Sequence, residues 1–107
     1  MGLKESIGEI IRDFFRAYER GDLVGMYACL TTDFQRRVPL NYFRINDRYK
    51  QDIGFLESIG HISISADYRS ACADVEIISN NKKSIIGIAL EKDFGQWRIL
   101  PDSVFNQ

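Results

Sequence analysis

The sequence predicts an α+β domain: three N-terminal helices packed on one face of a curved, mainly antiparallel four-stranded sheet, helices first and a strand meander after them. Three observations carry this prediction. Apolar residues recur at three- and four-residue steps through the first half of the chain, the period switches to two after Gly60, and the period-two runs are joined by turns too short for parallel pairing.

Leu3, Ile7, Ile10, Ile11, Phe14, Phe15 and Tyr18 share one helical face, with Glu5, Glu9, Arg12, Asp13, Arg16 and Glu19 between them, so the first helix is amphipathic. Gly21 follows Arg20 where a helix ends in the left-handed region, and Asp22 offers a carboxylate to cap the next helix. Leu23, Met26, Tyr27 and Leu30 continue the spacing through a short second helix that carries Cys29, and Thr31, Thr32 and Asp33 stop it. Phe34 to Val38 reads as a short strand or extended crossing, because Val38 precedes Pro39 and is pushed out of the helical region. From Pro39, Tyr42, Ile45, Tyr49, Ile53 and Leu56 fall within an arc of about 80°, which predicts a third helix over 39–57 that buries this stripe and leaves Phe43, Arg44, Arg48 and Phe55 off it.

After Gly60, Ile62, Ile64, Ala66 and Tyr68 alternate with polar residues, as do Ala71, Ala73, Val75 and Ile77, giving two strands joined at Arg69-Ser70. A turn at Ser79-Asn80-Asn81 leads to a strand over 84–91, and Asp93-Phe94-Gly95 turns it into a last strand from Trp97. The helices cover one sheet face. The other carries Ser63, Ser65, Asp67, Cys72, Asp74, Glu76, Ile78, Ile85, Ala89, Arg98 and Leu100, too polar for a core and too apolar at Ile78, Ile85 and Leu100 for a wholly wet surface.

With 107 residues, 45% of them hydrophobic and 27% charged, the chain has room for one core, so residues 1–107 read as a single domain. The net charge of −1 gives no global pull toward nucleic acid or membrane, and no apolar run is long enough to span a bilayer. Charge is uneven, however: residues 1–35 carry −2, residues 36–50 carry +4 and residues 51–107 carry −3. Arg36, Arg37, Arg44, Arg48 and Lys50 make the middle a basic island, interleaved with Phe34, Tyr42, Phe43 and Tyr49. The helical wheel puts Tyr42 and Tyr49 on the buried stripe, away from the cations, which argues against nucleic acid. Cys29 and Cys72 read as reduced thiols of a cytoplasmic protein, and the polar start of the chain does not read as a secretory leader. Met1, Gly2 and Ser6 match a myristoylation pattern, against which Leu3 has a use as the first core residue.

One histidine, His61, excludes zinc and paired-histidine sites within one chain, and no phosphate-cradling or nucleophile-elbow motif occurs, so no metal or cofactor is expected. His61 beside Cys29 or Cys72 would form a thiol nucleophile and base, but a lone histidine at a strand start is more often structural. Asp33 beside Thr31 and Thr32 reads as a helix-end residue in preference to a buried acid.

The aromatic end of the first helix, the Gly21-Asp22 corner, the Tyr27-bearing short helix and the closing Gly95-Gln96-Trp97-Arg98-Ile99 together resemble the nuclear-transport-factor-2-like superfamily, over nearly the whole chain. That resemblance implies a cone in which a bent sheet wraps around helices. It also implies functions that range from isomerases and dehydratases to small-molecule binders and association domains. With the family's Gly-Asp corner laid on Gly21-Asp22, the isomerase tyrosine falls on Phe14 and the general-base aspartate on Val38. A phenyl ring donates no hydrogen bond to an oxyanion and an isopropyl group accepts no proton, which argues against an enzyme. The expectation is a non-catalytic association module that homodimerises through the open sheet face at Ile78, Ile85 and Leu100. The rival is a small apolar ligand, held in a cone pocket lined by Phe14, Tyr18, Tyr27, Tyr49 and Trp97, in a carrier or an isomerase-like enzyme.

Overall fold

In the computed structural model, which describes residues 2–105, helices α1 (Leu3–Glu19), α2 (Leu23–Ala28), α3 (Thr32–Arg37) and α4 (Leu40–Ile45) precede strands β1 (Phe55–Ile64), β2 (Ser70–Ser79), β3 (Lys82–Asp93) and β4 (Gln96–Ile99). Single 3-10 turns follow α4 at Asp47–Lys50 and β4 at Pro101–Ser103. The α+β order is as the sequence predicts, but the helical region is divided differently.

α1 buries Ile7, Ile11, Phe14, Phe15 and Ala17 and turns its charged residues outward. The corner after it forms as expected. Gly21 adopts φ +69°, its N–H donates to Tyr18 O at 3.0 Å, and the Asp22 carboxylate accepts from Gly25 N at 2.9 Å to cap α2. Leu3 is corrected: it is 37% exposed, on the rim of a groove between α1 and the β3–β4 hairpin and not in the core.

The residues expected as an extended crossing at 34–38 instead form most of α3. Its first N–H and the Thr32 hydroxyl donate to the carboxylate of Asp93, at 2.8 and 3.0 Å, so a strand residue 61 positions away supplies the cap. Val38 is extended before Pro39, as its sequence context requires. The single helix expected over 39–57 is also corrected. Asn46 leaves the helical region at ψ 124°, its side chain accepts from Arg48 N at 2.9 Å to start a separate turn, and Gly54 at φ +83° leads directly into β1. With only six residues in α4, the long stripe no longer decides which face is buried. Phe43 takes the core at 0% exposure, whereas Tyr42 and Ile45, expected inside, are 51% and 72% exposed.

The sheet has the order β1-β2-β3-β4, antiparallel throughout. Ala71, Ala73, Val75 and Ile77 are buried as expected, with Ile88, Leu90, Trp97 and Ile99 beside them. β1 ends at Ile64, so Ala66 and the 60%-exposed Tyr68 belong to the turn and not to a dry strand face. Its register against β2 slips twice, between Leu56 and Ser58 and between Ile59 and Ile62, and such bulges bend a strand over what lies beneath it. The far edge at β4 is occupied: Thr31 N donates to Ile99 O and Ile99 N to Cys29 O, a parallel bridge that ties the α2–α3 junction to the sheet.

Candidate functional site

The space between the helices and the concave sheet face is filled by rings. Phe14 meets Phe15 edge-on at 5.7 Å, Phe43 stacks on Tyr49 at 4.9 Å, and Phe34 touches both Phe43 and Tyr49. The turn after Pro101 delivers Phe105 into their midst, 6.2 Å from Phe14, 6.1 Å from Phe43 and 5.3 Å from Tyr49. Rings at these separations leave hydrocarbon against hydrocarbon. Among the described residues the buried polar side chain is that of Thr31; every carboxylate is at least partly exposed.

The five rings expected around a pocket are distributed over several surroundings. Phe14 is sealed among its neighbours at 0% exposure. The Tyr27 hydroxyl lies 2.9 Å from Gln35 O and 2.8 Å from Val38 O, shares its proton between them, and so ties α2 to the C-terminal half of α3; burial pushes its pKa up. The Tyr18 hydroxyl donates to Asp52 at 3.1 Å and accepts from Ile53 N, fixing the end of α1 to the approach to β1. Burial first, then the Asp52 carboxylate, raises its pKa. Asp52 in turn is held below the usual carboxylate range by the Gly54 N–H, then by the Ser79 and Tyr18 hydroxyls. Tyr18 and Tyr49 meet on a hollow of about 260 Å³ completed by Gly21, Leu23, Met26 and Lys50. Trp97 stands apart, 6% exposed, with the Lys92 ammonium 5.8 Å from its ring.

A larger open cleft of about 720 Å³ runs between α3 and the sheet, with Arg37, Arg48, Tyr49, Glu91 and Leu100 among its walls. Arg37 pairs with Asp33 at 3.0 Å and Arg48 with Asp102 at 3.6 Å. Burial, then Asp93 and Asp33, raises the Glu91 pKa. Asp33 is thus an exposed ion-pair partner on α3.

On the open sheet face Ile78 and Ile85 are diagonal neighbours, since Ile78 pairs with Lys83 and Glu76 with Ile85. Ile85 is 71% exposed, and Phe55, 55% exposed, pairs with Ile78 from β1. Leu100 lies farther along, hydrogen bonded to Ala89, on the rim of the large cleft. The wheel of the expected third helix hid Phe55 from this face; the early start of β1 brings it there. Cys72 is exposed on the same face, whereas burial pushes the Cys29 thiol up to about 11, which keeps it protonated and unreactive. No hydrogen bond joins His61 to either cysteine, and no cluster of three metal-ligating side chains occurs among the described residues.

The order of elements and the bent sheet have a counterpart among solved structures. An NTF-2-like protein of unknown function from Shewanella oneidensis MR-1 superposes with a TM-score of 0.63 at 15% identity, over 92% of this chain and 94% of that one. The fold is NTF-2-like. No protein-family model and no curated protein matches the chain. Within this NTF-2-like cone the two positions that the isomerase resemblance singles out are Phe14, sealed in the ring cluster, and Val38, half-buried with its carbonyl on the Tyr27 hydroxyl. No described helix is long and apolar enough to cross a membrane.

Proposed function

We propose that this chain is a non-catalytic association module that pairs with a second copy of itself through the open face of its sheet. The observation that carries the reading is Ile85, 71% exposed on an inner strand beside Ile78 and Phe55, while Ala73, Val75, Ile88 and Leu90 on the opposite face are buried. Apolar side chains held on a rigid sheet are removed from water when two such faces meet, at about 25 cal/mol per Å² before association costs. A weak to moderate dimer follows. The interior packed with Phe14, Phe43, Tyr49 and Phe105 supports a role at the surface in preference to chemistry within. Two unpaired cysteines, one of them exposed, suit a reducing, cytoplasmic setting. Light scattering tests the dimer: the wild-type chain gives twice the mass of the Ile85→Glu variant at the same high concentration, and a wild-type mass of one chain there refutes it.

A second reading has its own observation. The hollow of about 260 Å³ where Tyr18 and Tyr49 meet Leu23 and Met26 is largely apolar and suits a small apolar ligand. Titration with indole or benzene, followed by the methyl resonances of Leu23 and Met26, supports this carrier reading if those methyls shift saturably, and rejects it if they do not.

A further inference from the structure

We infer that the outward face of α4 is a second docking surface, built for an acidic segment of a partner protein that also carries apolar side chains. A continuous wheel over residues 39–57 buries the apolar stripe away from the cations of the basic island; the structure instead exposes Tyr42 and Ile45 on the same six-residue helix as Arg44. Ile45 is 72% exposed and Tyr42 51%, and on the same short helix Arg44 is exposed with no ion-pair partner among the described residues. Arg36 and Arg37 are exposed at the end of α3, and Arg48 and Lys50 on the turn after α4. An aliphatic crest and a phenol among guanidinium groups is the composition of a protein contact, where arginine and tyrosine are enriched.

The charges select the partner. Four of the five cations are arginines, whose planar fork matches a carboxylate. Asp33 and Asp102 occupy Arg36, Arg37 and Arg48 only through exposed pairs, which exchange readily. A uniformly anionic surface such as a bilayer sets its phosphates against those acids as well as against the arginines. A protein segment instead places carboxylates at Arg44 and an apolar side chain at Ile45 and avoids them. Single-stranded nucleic acid gains most from stacked rings, and of the rings in this stretch Phe43 and Tyr49 are buried.

The full chain is titrated into a fluorescein-labelled amphipathic peptide of about fifteen residues, with leucines at helical spacing and glutamates elsewhere, and into its glutamine counterpart. Oligothymidylate and vesicles of equal parts phosphatidylcholine and phosphatidylserine form the comparison arms. The acidic peptide binds, loses affinity as salt rises, and is weakened about tenfold or more by Arg44→Glu and by Ile45→Glu, both at exposed positions that leave the unfolding midpoint unchanged. Ile85→Glu leaves this binding intact, which separates it from the sheet-face dimer. Equal binding of the two peptides, no binding of the acidic one, or tighter binding of vesicles or oligothymidylate overturns the inference.

Discussion

Phe105 closes the ring cluster from beyond the last strand, 1% exposed against Phe14, Phe43 and Tyr49. Truncating a ring so placed removes its burial and leaves a void that its stiff neighbours fill poorly. Phe105→Ala is expected to cost about 3–5 kcal/mol in urea unfolding, and a loss below about 1 kcal/mol would show the ring is not seated there. A second residue-scale prediction concerns acid. Asp52 has its folded pKa lowered by the Gly54 N–H, the Ser79 hydroxyl and the Tyr18 hydroxyl, so its contribution to stability is full above the unfolded carboxylate value and fades as pH falls through the folded one. Asp52→Asn therefore flattens the acid limb of a plot of stability against pH and leaves the neutral region less affected; an unchanged acid limb contradicts this. Cys29 runs the opposite way: raised to about 11, it contributes fully below the ordinary thiol value and loses that contribution as pH climbs through about 11. A thiol reagent at neutral pH modifies Cys72 in the native protein and Cys29 only after unfolding.

At the scale of elements, α1 and the Gly21-Asp22 corner were legible because their signals are local: a long apolar stripe, a glycine for the left-handed turn and a carboxylate three residues before the N–H it caps. The alternation in β2 and β3 was legible for the same reason. What the sequence hid was non-local. α3 begins where Asp93 supplies the cap, and nothing near Thr32 announces a partner 61 residues away. The expected third helix failed at Asn46, whose side chain satisfies the backbone of the next turn and so competes with continued helix. That break also reversed the wheel: Phe43 went in, and Tyr42 and Ile45 came out on the same short helix as Arg44. Asp93→Ala is expected to remove the cap of α3 at a cost of about 1 kcal/mol, with faster amide exchange at Thr32 and Asp33; no change in either would locate the stability of α3 elsewhere.

For the whole molecule, a short chain wraps one sheet face with helices, seals its β4 edge with the Leu30 bridge and leaves the opposite face bearing Phe55, Ile78 and Ile85. The family resemblance foretold the cone, and the period-two pattern foretold which residues of β2 and β3 face away from it. Whether the cone was hollow was not legible, because it depends on Phe105 reaching back from the C-terminal turn, a contact with no periodic signature. The proposed pairing depends on what that face does. Backbone amide shifts followed as the wild-type protein is diluted from millimolar to low micromolar test this most directly. The predicted result is concentration-dependent movement at Ser58, Glu76, Ile78, Ile85 and Gly87, with α1 and Phe105 still. Spectra that do not change with concentration, or changes confined to α4, would contradict it.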